Sequence, residues 1–456
     1  MSNEGKASSL MALRALFLRG EGRVHFVGIG GVSMRSLAVI SRRLGFSVSG
    51  SDRDCSAQGI FGGDIAVTVP QSEGETEGAD LVVKTHAIDD SSPAIVGARA
   101  RGIPIVSRAE YLGELMLRYK NRICVSGSHG KSTVTAMLAE IFSLASLSPT
   151  VLSGAPLCGG EPHIFGKDEV LIAEACEYRN SFLSFPADTA LILNIELDHP
   201  DFFENTAMLE HSFLSFASSA GKAIVNIDSP SALRVYSALR GKKVSFGKSD
   251  AADYQYRIIG SERGCARFSL YRRGRVLLTA SLCIPGVFNA ANASAAAAVA
   301  FEYGISGEVT REALENFRGV PRRLERIGNL NSHSVYYDYA HHPTEIRAAI
   351  AAVREIEGGE VTVLFKPHTY SRTKALYSDF VSALSAADAV IIAEIFAARE
   401  EPIEGIDNFS LARDIGERAV ACADGKISEA LKERARGSII VMGAGDYGGI
   451  MRKICE

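Results

Sequence analysis

Short apolar runs recur along the chain, with stretches of helical apolar spacing between them. RVHFVGIG from Arg23, SVSGSD from Ser47, ADLVVKTHAI from Ala79 and IPIVS from Ile103 read as strands. Strands alternating with helical segments predict a parallel sheet. Near LRYKNRICVSGSHGKS the chain restarts with a new strand, which puts a first boundary close to Tyr119. The second series holds VLIAEACE, TALILNIELDH and AIVNIDS and closes with the small-residue helix NAANASAAAAVAFEYG. A third series follows RGVPRRLERIG, with strands in SVYYDYAHHP, VTVLFKPH, AVIIAEI and SIIVMGAG. The expected fold class is α/β in three domains. Residues 1–118 form a Rossmann-like domain, 119–319 a phosphate-loop α/β domain of ATPase type, and 320–456 a second Rossmann-like domain.

Composition narrows the classes. A length of 456 residues suits about three domains. The 46% hydrophobic and 22% charged residues are ordinary for a globular protein. A net charge of −4 leaves no basic excess to neutralise phosphates, so nucleic acid is not the expected partner. The 8 cysteines are scattered without a CxxC pair, the pattern of reduced thiols in a cytoplasmic protein. SSLMALRALFL near the N-terminus is interrupted by Arg14 and lacks a small-residue cleavage site, so it predicts a short amphipathic helix. No run approaches the roughly 18 apolar residues of a membrane helix, and no membrane association is expected.

Two glycine turns carry the candidate chemistry. Gly28, Gly30 and Gly31 follow a strand and open a helix, with Asp52 at the end of the next strand. Glycines let the backbone approach a diphosphate, and the helix-end amides favour its charge. Ser33 stands at the third position where a dinucleotide turn has Gly or Ala. An empty strand–helix turn would look similar, but turn and acid at this spacing favour a ligand. The second turn is GSHGKS, from Gly127 to Ser132, between an apolar strand and the helical TVTAMLAEIF. Gly130, Lys131 and Ser132 supply bare amides, a phosphate-seeking cation and a hydroxyl for Mg2+. The spacing is two residues shorter than the common phosphate loop, so the strand–helix context carries the reading.

Acids and histidines sit at two strand ends: Glu174 in LIAEACE, and Asp198 with His199 in LILNIELDH. Carboxylates at neighbouring strand ends suit Mg2+ beside a phosphate loop, whereas a lone histidine there is more often structural.

GSHGKST, EACEYRNSFL, NIELDHPDFF, FNAANASAA, PRRLERIG, DYAHHPTEI and FKPHTYSRT stand in the order found in the Mur ligases. GIGGVSM and GSD resemble the branch that adds the first amino acid. The resemblance runs from about Arg23 to about Gly449 and implies why one chain carries two phosphate turns. The first turn would hold the UDP of a sugar nucleotide, through Gly28, Gly30, Gly31, Ser33 and Asp52, with His86 and Arg108 nearby. The second would hold ATP, through Gly127, Ser128, His129, Gly130, Lys131, Ser132 and Thr133. Asn289 and Asn292 would meet the adenine, and Arg323 and Asp338 would complete the nucleotide site. Ser132, Glu174 and His199 would hold Mg2+. His368 and Arg372 would face the amino acid. Lys131, His199, His341 and Arg372 would carry the chemistry, with His341 or His199 as base.

The resemblance therefore implies ATP-dependent ligation of L-alanine to the lactyl carboxylate of UDP-N-acetylmuramate through an acyl phosphate, in peptidoglycan precursor synthesis. It also implies a cytoplasmic monomer or weak homodimer. The nearest rival is a recycling ligase that adds a tripeptide to the same sugar. An NAD-linked oxidoreductase leaves the phosphate loop unexplained. A non-catalytic sugar-nucleotide sensor leaves Lys131, Glu174, His199 and Arg372 unexplained. The chain departs from the family at Phe288, where many members have His, at Tyr337, where many have Asp, and in the KTHAI stretch around His86. Asp446 and Tyr447 in GAGDYGGI have no assigned role.

Overall fold

A computed structural model describes residues 3–157, 160–398 and 400–443. GAGDYGGI reaches beyond them, so Asp446 and Tyr447 lie outside the described residues. Among the described residues no helix is long and apolar enough to cross a membrane. By packing, the chain divides into two compact units. One comprises the chain up to Ser126 with Ser146–Leu191 and Ser215–Ala223; the other comprises Gly127–Ala145, Ile192–Leu214 and the chain from Ile224.

In the first unit, five parallel strands form one sheet in the order Ala66–Thr68, Ser47–Ser51, Arg23–Val27, Leu81–Lys84, Ile105–Ser107. The order reverses at Arg23–Val27, and such a switch point opens a crevice at the carboxyl ends of the strands. Register places Val27 beside Ser51 and beside Lys84, so the Gly28 turn leaves the sheet at that crevice. Phe26, Val27, Leu81, Val82 and Val83 are fully buried, as in a parallel sheet covered on both faces. The N-terminal helix runs Asn3–Arg19 and packs Phe17 against Phe46 and Tyr111. The same unit holds Asn121–Ser126 parallel to Val170–Glu174, which in turn pairs with Thr150–Leu152.

In the second unit, a six-stranded sheet has the order Glu325–Leu330, His333–Asp338, Ser438–Gly443, Val361–Lys366, Ala389–Ile392, Ala419–Ala421. It is parallel except for the first pair, which is an antiparallel hairpin. Tyr337 is 2% exposed and packs with Leu364, Ile391 and Val441, so at this point of the strand the chain places a core side chain. The alanines of the helix Asn289–Glu302 are almost all buried, and it packs on the helix Lys131–Leu144.

One part of this unit departs from the parallel α/β expectation. Tyr254–Glu262, Cys265–Arg272 and Arg275–Pro285 form an antiparallel meander. Its hairpins turn on Arg263-Gly264 and Arg273-Gly274, all four with positive φ. That is the two-residue geometry that matches strand twist, but it is signalled in sequence by Asn-Gly or Asp-Gly, and Arg hides it.

Candidate functional site

The first unit builds a glycine turn beside a cationic cluster. Gly28 has φ of +83°, a conformation that favours glycine. The Gly30 amide donates to Asp52 Oδ2 at 2.9 Å, while Asp52 Oδ1 accepts from the Arg53 and Asp54 amides. Asp52 thus fastens the turn that sequence reasoning assigned to the ligand. Gly31 caps the helix Val32–Arg43, with Ser33 half-buried in its first turn. Arg108 opens the helix Arg108–Met116, capped by a Ser107–Glu110 box. Burial pulls the Arg108 guanidinium down from its ordinary pKa, against Cys176 and Glu174. His86 is lowered by partial burial and by Arg179 and Arg108. Glu174 Oε1 accepts from Ser153 Oγ at 2.8 Å and the Gly154 amide at 2.7 Å. Glu174 also acts electrostatically on Arg108, in the unit that carries the glycine turn.

The phosphate loop opens the second unit. Gly127 and Gly130 have φ of +140° and +85°. The left-handed backbone at Gly130 calls for glycine, and a Cβ there would also press on Asn292 Oδ1 at 2.6 Å. Gly130 leads directly into the helix Lys131–Leu144, whose free amides and dipole form an anion site. Ser132 and Thr133 are buried in its first turn, and the Lys131 ammonium donates to the carbonyls of Gly127 and Ser128. The loop is pinned by Asn194, which accepts the His129 amide and donates to the His129 carbonyl, and by Ser128 Oγ donating to the Glu196 carbonyl.

A cavity of about 240 Å³ adjoins this loop. His129, Gly130, Thr133, Asn292, Arg323, Asp338 and Glu345 line it. Phe288, 44% exposed, adds an aromatic wall, and Asn289 donates to the Pro285 carbonyl at 2.7 Å. Asp338 accepts the Leu324 and Ala340 amides at 2.7 Å each, and burial lifts its pKa to about 6 against the pull of Arg323. His129 bridges two carboxylates, with Nδ1 3.1 Å from Glu345 Oε1 and Nε2 3.3 Å from Glu196 Oε2. Burial disfavours its charge, but Glu345 and Glu196 outweigh burial and lift its pKa to about 9. Burial likewise opposes the charge on Glu196, which His129 and Thr344 nonetheless hold at about 2.

The His129 value fixes a pH window. An unfolded histidine titrates near 6.5, so the stability this group contributes is fully present below about pH 6.5 and is lost as pH rises through about 9. Ring-carbon NMR with a chelator present should show His129 titrating near 9, and Glu345→Gln should lower that midpoint by about one unit or more. A wild-type midpoint near 6.5 would rule the double ion pair out.

Beside this cavity lies a second cluster. Arg372 is 4% exposed and donates through Nε and Nη2 to Asp198 Oδ1 at 2.8 and 2.7 Å. Its Nη1 donates to His368 Nδ1 at 2.6 Å. Arg372, expected to face the amino acid, holds a carboxylate belonging to the protein. His368 must be neutral to accept, and burial, Arg372 and His341 push its pKa to about 3. His199 takes φ of +55°, donates its amide to Asp198 Oδ1 and keeps Nε2 3.7 Å from Asp198 Oδ2. His341 Nδ1 donates to the Tyr339 carbonyl at 2.9 Å, and burial lowers its pKa. Sequence reasoning missed Glu196, His342, Thr344 and Glu345, although the doubled histidine of AHHPTE marked the place.

A doubly wound sheet with a glycine turn, a glycine-lined phosphate loop and a second parallel sheet carrying buried His, Arg and carboxylate groups define a multidomain α/β nucleotide-binding enzyme. Family models match successive parts of the chain: "Mur ligase family, catalytic domain" over residues 23–120, "Mur ligase middle domain" over 125–300, and "Mur ligase, glutamate ligase domain" over 322–445. The UDP-N-acetylmuramate–L-alanine ligase of Lachnospira eligens is 41% identical over 93% of this chain and 95% of its own. The crystal structure of the UDP-N-acetylmuramate-alanine ligase of Thermotoga maritima superposes with a TM-score of 0.80 at 26% identity, covering 95% of this chain and 98% of the other. A murein peptide ligase from Psychrobacter arcticus shares the fold at a TM-score of 0.74 and 22% identity, covering 95% and 98%. The chain belongs to the Mur ligase family.

Proposed function

We propose that the chain ligates L-alanine to the lactyl carboxylate of UDP-N-acetylmuramate at the expense of ATP, in the cytoplasm, as a step in peptidoglycan precursor synthesis. The observation that carries this reading is the single cavity bordered by the phosphate loop and by Arg323, Asp338 and Glu345. It sets His129, Gly130 and Thr133 beside Arg323, Asp338 and the start of the helix Pro343–Glu357. The domains are drawn at 1–118 for the sugar nucleotide, 119–319 for ATP and 320–456 for the amino acid, in a monomer or weak homodimer.

A carboxylate is a poor electrophile and must be activated. The lactyl carboxylate takes the γ-phosphoryl group, ADP leaves, and the alanine amine then displaces phosphate from the acyl carbon. Two anions meet in the first step, so Lys131 and the amides of Gly130 to Thr133 stabilise charge that spreads over the transferred group. Asn289 and Asn292 meet the adenine and Phe288 packs beside it, while Gly28, Gly30, Gly31, Ser33, Asp52, His86 and Arg108 hold the UDP-sugar. Ser132 in the second unit would supply an oxygen donor to Mg2+ and His199 a softer one, while Glu174, assigned to the same ion, belongs to the first unit. Mg2+ supplies neutralisation of phosphate charge when bound. The attacking amine must be neutral. His341 is the base: Nδ1–H is committed to the Tyr339 carbonyl, which leaves Nε2 as a lone pair on an imidazole kept uncharged by burial. His368, held neutral by Arg372, presents Nε2–H to the amino acid.

Acceptor choice tests this against the tripeptide-adding reading. Phosphate release with UDP-N-acetylmuramate should be efficient with L-alanine and weaker with glycine or serine, because one methylene is worth only about 1–3 kcal/mol. The L-Ala-D-Glu-diamino acid tripeptide should give no useful turnover, since its terminal carboxylate lies far from its amine. Preferential use of the tripeptide would overturn the assignment.

A further inference from the structure

Three electron-pair donors converge beside the start of the helix Pro343–Glu357. His129 Nδ1 faces Glu345 Oε1 at 3.1 Å, so the ring proton sits on that nitrogen. The opposite nitrogen, Nε2, faces Glu196 Oε2 at 3.3 Å. His342 Nδ1 lies 3.7 Å from the same oxygen and accepts the Thr344 amide at 3.3 Å, so it is unprotonated. Glu196 Oε2 also accepts the Thr344 hydroxyl at 2.6 Å. The donor atoms of His129, Glu196 and His342 all lie within 4.8 Å of one another. A metal ion seated here takes the place of the Thr344 amide at His342 Nδ1 and of the proton between His129 Nε2 and Glu196.

We propose that His129, Glu196 and His342 form a binding site for a first-row divalent transition ion of the Zn2+ or Co2+ class, separate from the Mg2+ that serves the phosphate loop. Ligands about 2.0–2.1 Å from a tetrahedral ion stand roughly 3.3 Å apart, close to the 3.3 and 3.7 Å separations here. Two nitrogens with one oxygen select a borderline-soft ion over Mg2+, which demands oxygen. Glu345 on the far nitrogen of His129 is the outer carboxylate that orients a metal-binding imidazole and raises its basicity. His342 is 6% exposed, and its Nε2 has no hydrogen-bond partner, so the ring's polar contacts all lie on the Nδ1 side. Three protein donors leave a fourth position for water or an anion. The ion ties the phosphate loop to the start of the helix. It also stands in the wall of the nucleotide cavity, which His129, Glu196, Thr344 and Glu345 line.

The ion must displace the proton from His129. The test is a Co2+ titration of the full chain in a large excess of Mg2+, which saturates oxygen-donor sites. One equivalent should bind with the visible bands of tetrahedral Co2+, without the near-ultraviolet charge transfer of thiolate ligation. His342→Ala and Glu196→Gln should each weaken binding by about tenfold or more. Circular dichroism checks the fold of each variant, and His342→Gln replaces His342→Ala if that variant is unfolded. No Co2+ retained against Mg2+, a thiolate charge-transfer band, or unchanged affinity in both variants would each overturn the proposal.

Discussion

Lys131→Ala should lower phosphate release by roughly a thousandfold or more while leaving UDP-sugar binding nearly unchanged. Removing one preorganised donor at a site of developing charge costs about two to three orders of magnitude, and a full cation at a transferring phosphoryl group up to about five. Lys131 is the cation built into the loop, held at the Gly127 and Ser128 carbonyls where the helix begins. The glycine turn with its Asp52 clasp belongs to the other compact unit, as do His86 and Arg108. The two readouts should therefore separate: calorimetric sugar-nucleotide binding persists, and turnover does not. Lys131→Arg should not restore activity, since a planar guanidinium does not fit the place of a compact ammonium. Near-normal turnover in Lys131→Ala would show that the loop does not carry the phosphates.

The parts legible in the sequence were those with a strong local period or a strong local constraint. The strands around Val24, Val82, Val363 and Ile440 are continuous apolar runs because both faces of a parallel sheet are covered, and each is a strand in the structure. Gly130 announced its turn because its left-handed backbone calls for glycine. The meander from Tyr254 was hidden by Arg-Gly turns and by strands with one exposed edge. Asp52 shows a subtler limit: its spacing from the glycines is visible, but its use as a clasp on the Gly30 amide depends on two strands lying side by side. The roles of Glu196, Thr344 and Glu345 were hidden for the same reason, although AHHPTE marked the place of two of them. Their meaning lies in how Glu196 and Glu345 meet His129, and Thr344 meets Glu196, across long stretches of chain, and an acid at a helix start or in a loop reads, in sequence, as a solvated one.

The Asp198–Arg372 pair supplies the largest expected effect on stability. Both side chains are nearly fully buried, and Arg372 spends Nε and Nη2 on Asp198 and Nη1 on His368. Removing one member of a buried pair strands the other charge, at a cost of roughly 3–5 kcal/mol. Asp198→Ala should therefore lose about that much stability in urea unfolding and fall below detectable ligation, whereas Asp198→Asn, which keeps an acceptor oxygen, should lose less. Arg372→Lys distinguishes a positioning role from a purely structural one. An ammonium cannot reach Asp198 and His368 together in the fork geometry of Arg, so His368 is released from its neutral, accepting orientation. The expected signature is a sharp rise in the KM for alanine, with the KM for ATP little changed and part of the stability kept. If the KM for both substrates rises in proportion to lost stability, the cluster only holds the fold together. If Asp198→Ala unfolds no more easily than wild type, the charge on Arg372 is being met elsewhere, and the place of His368 at the amino-acid site falls with it.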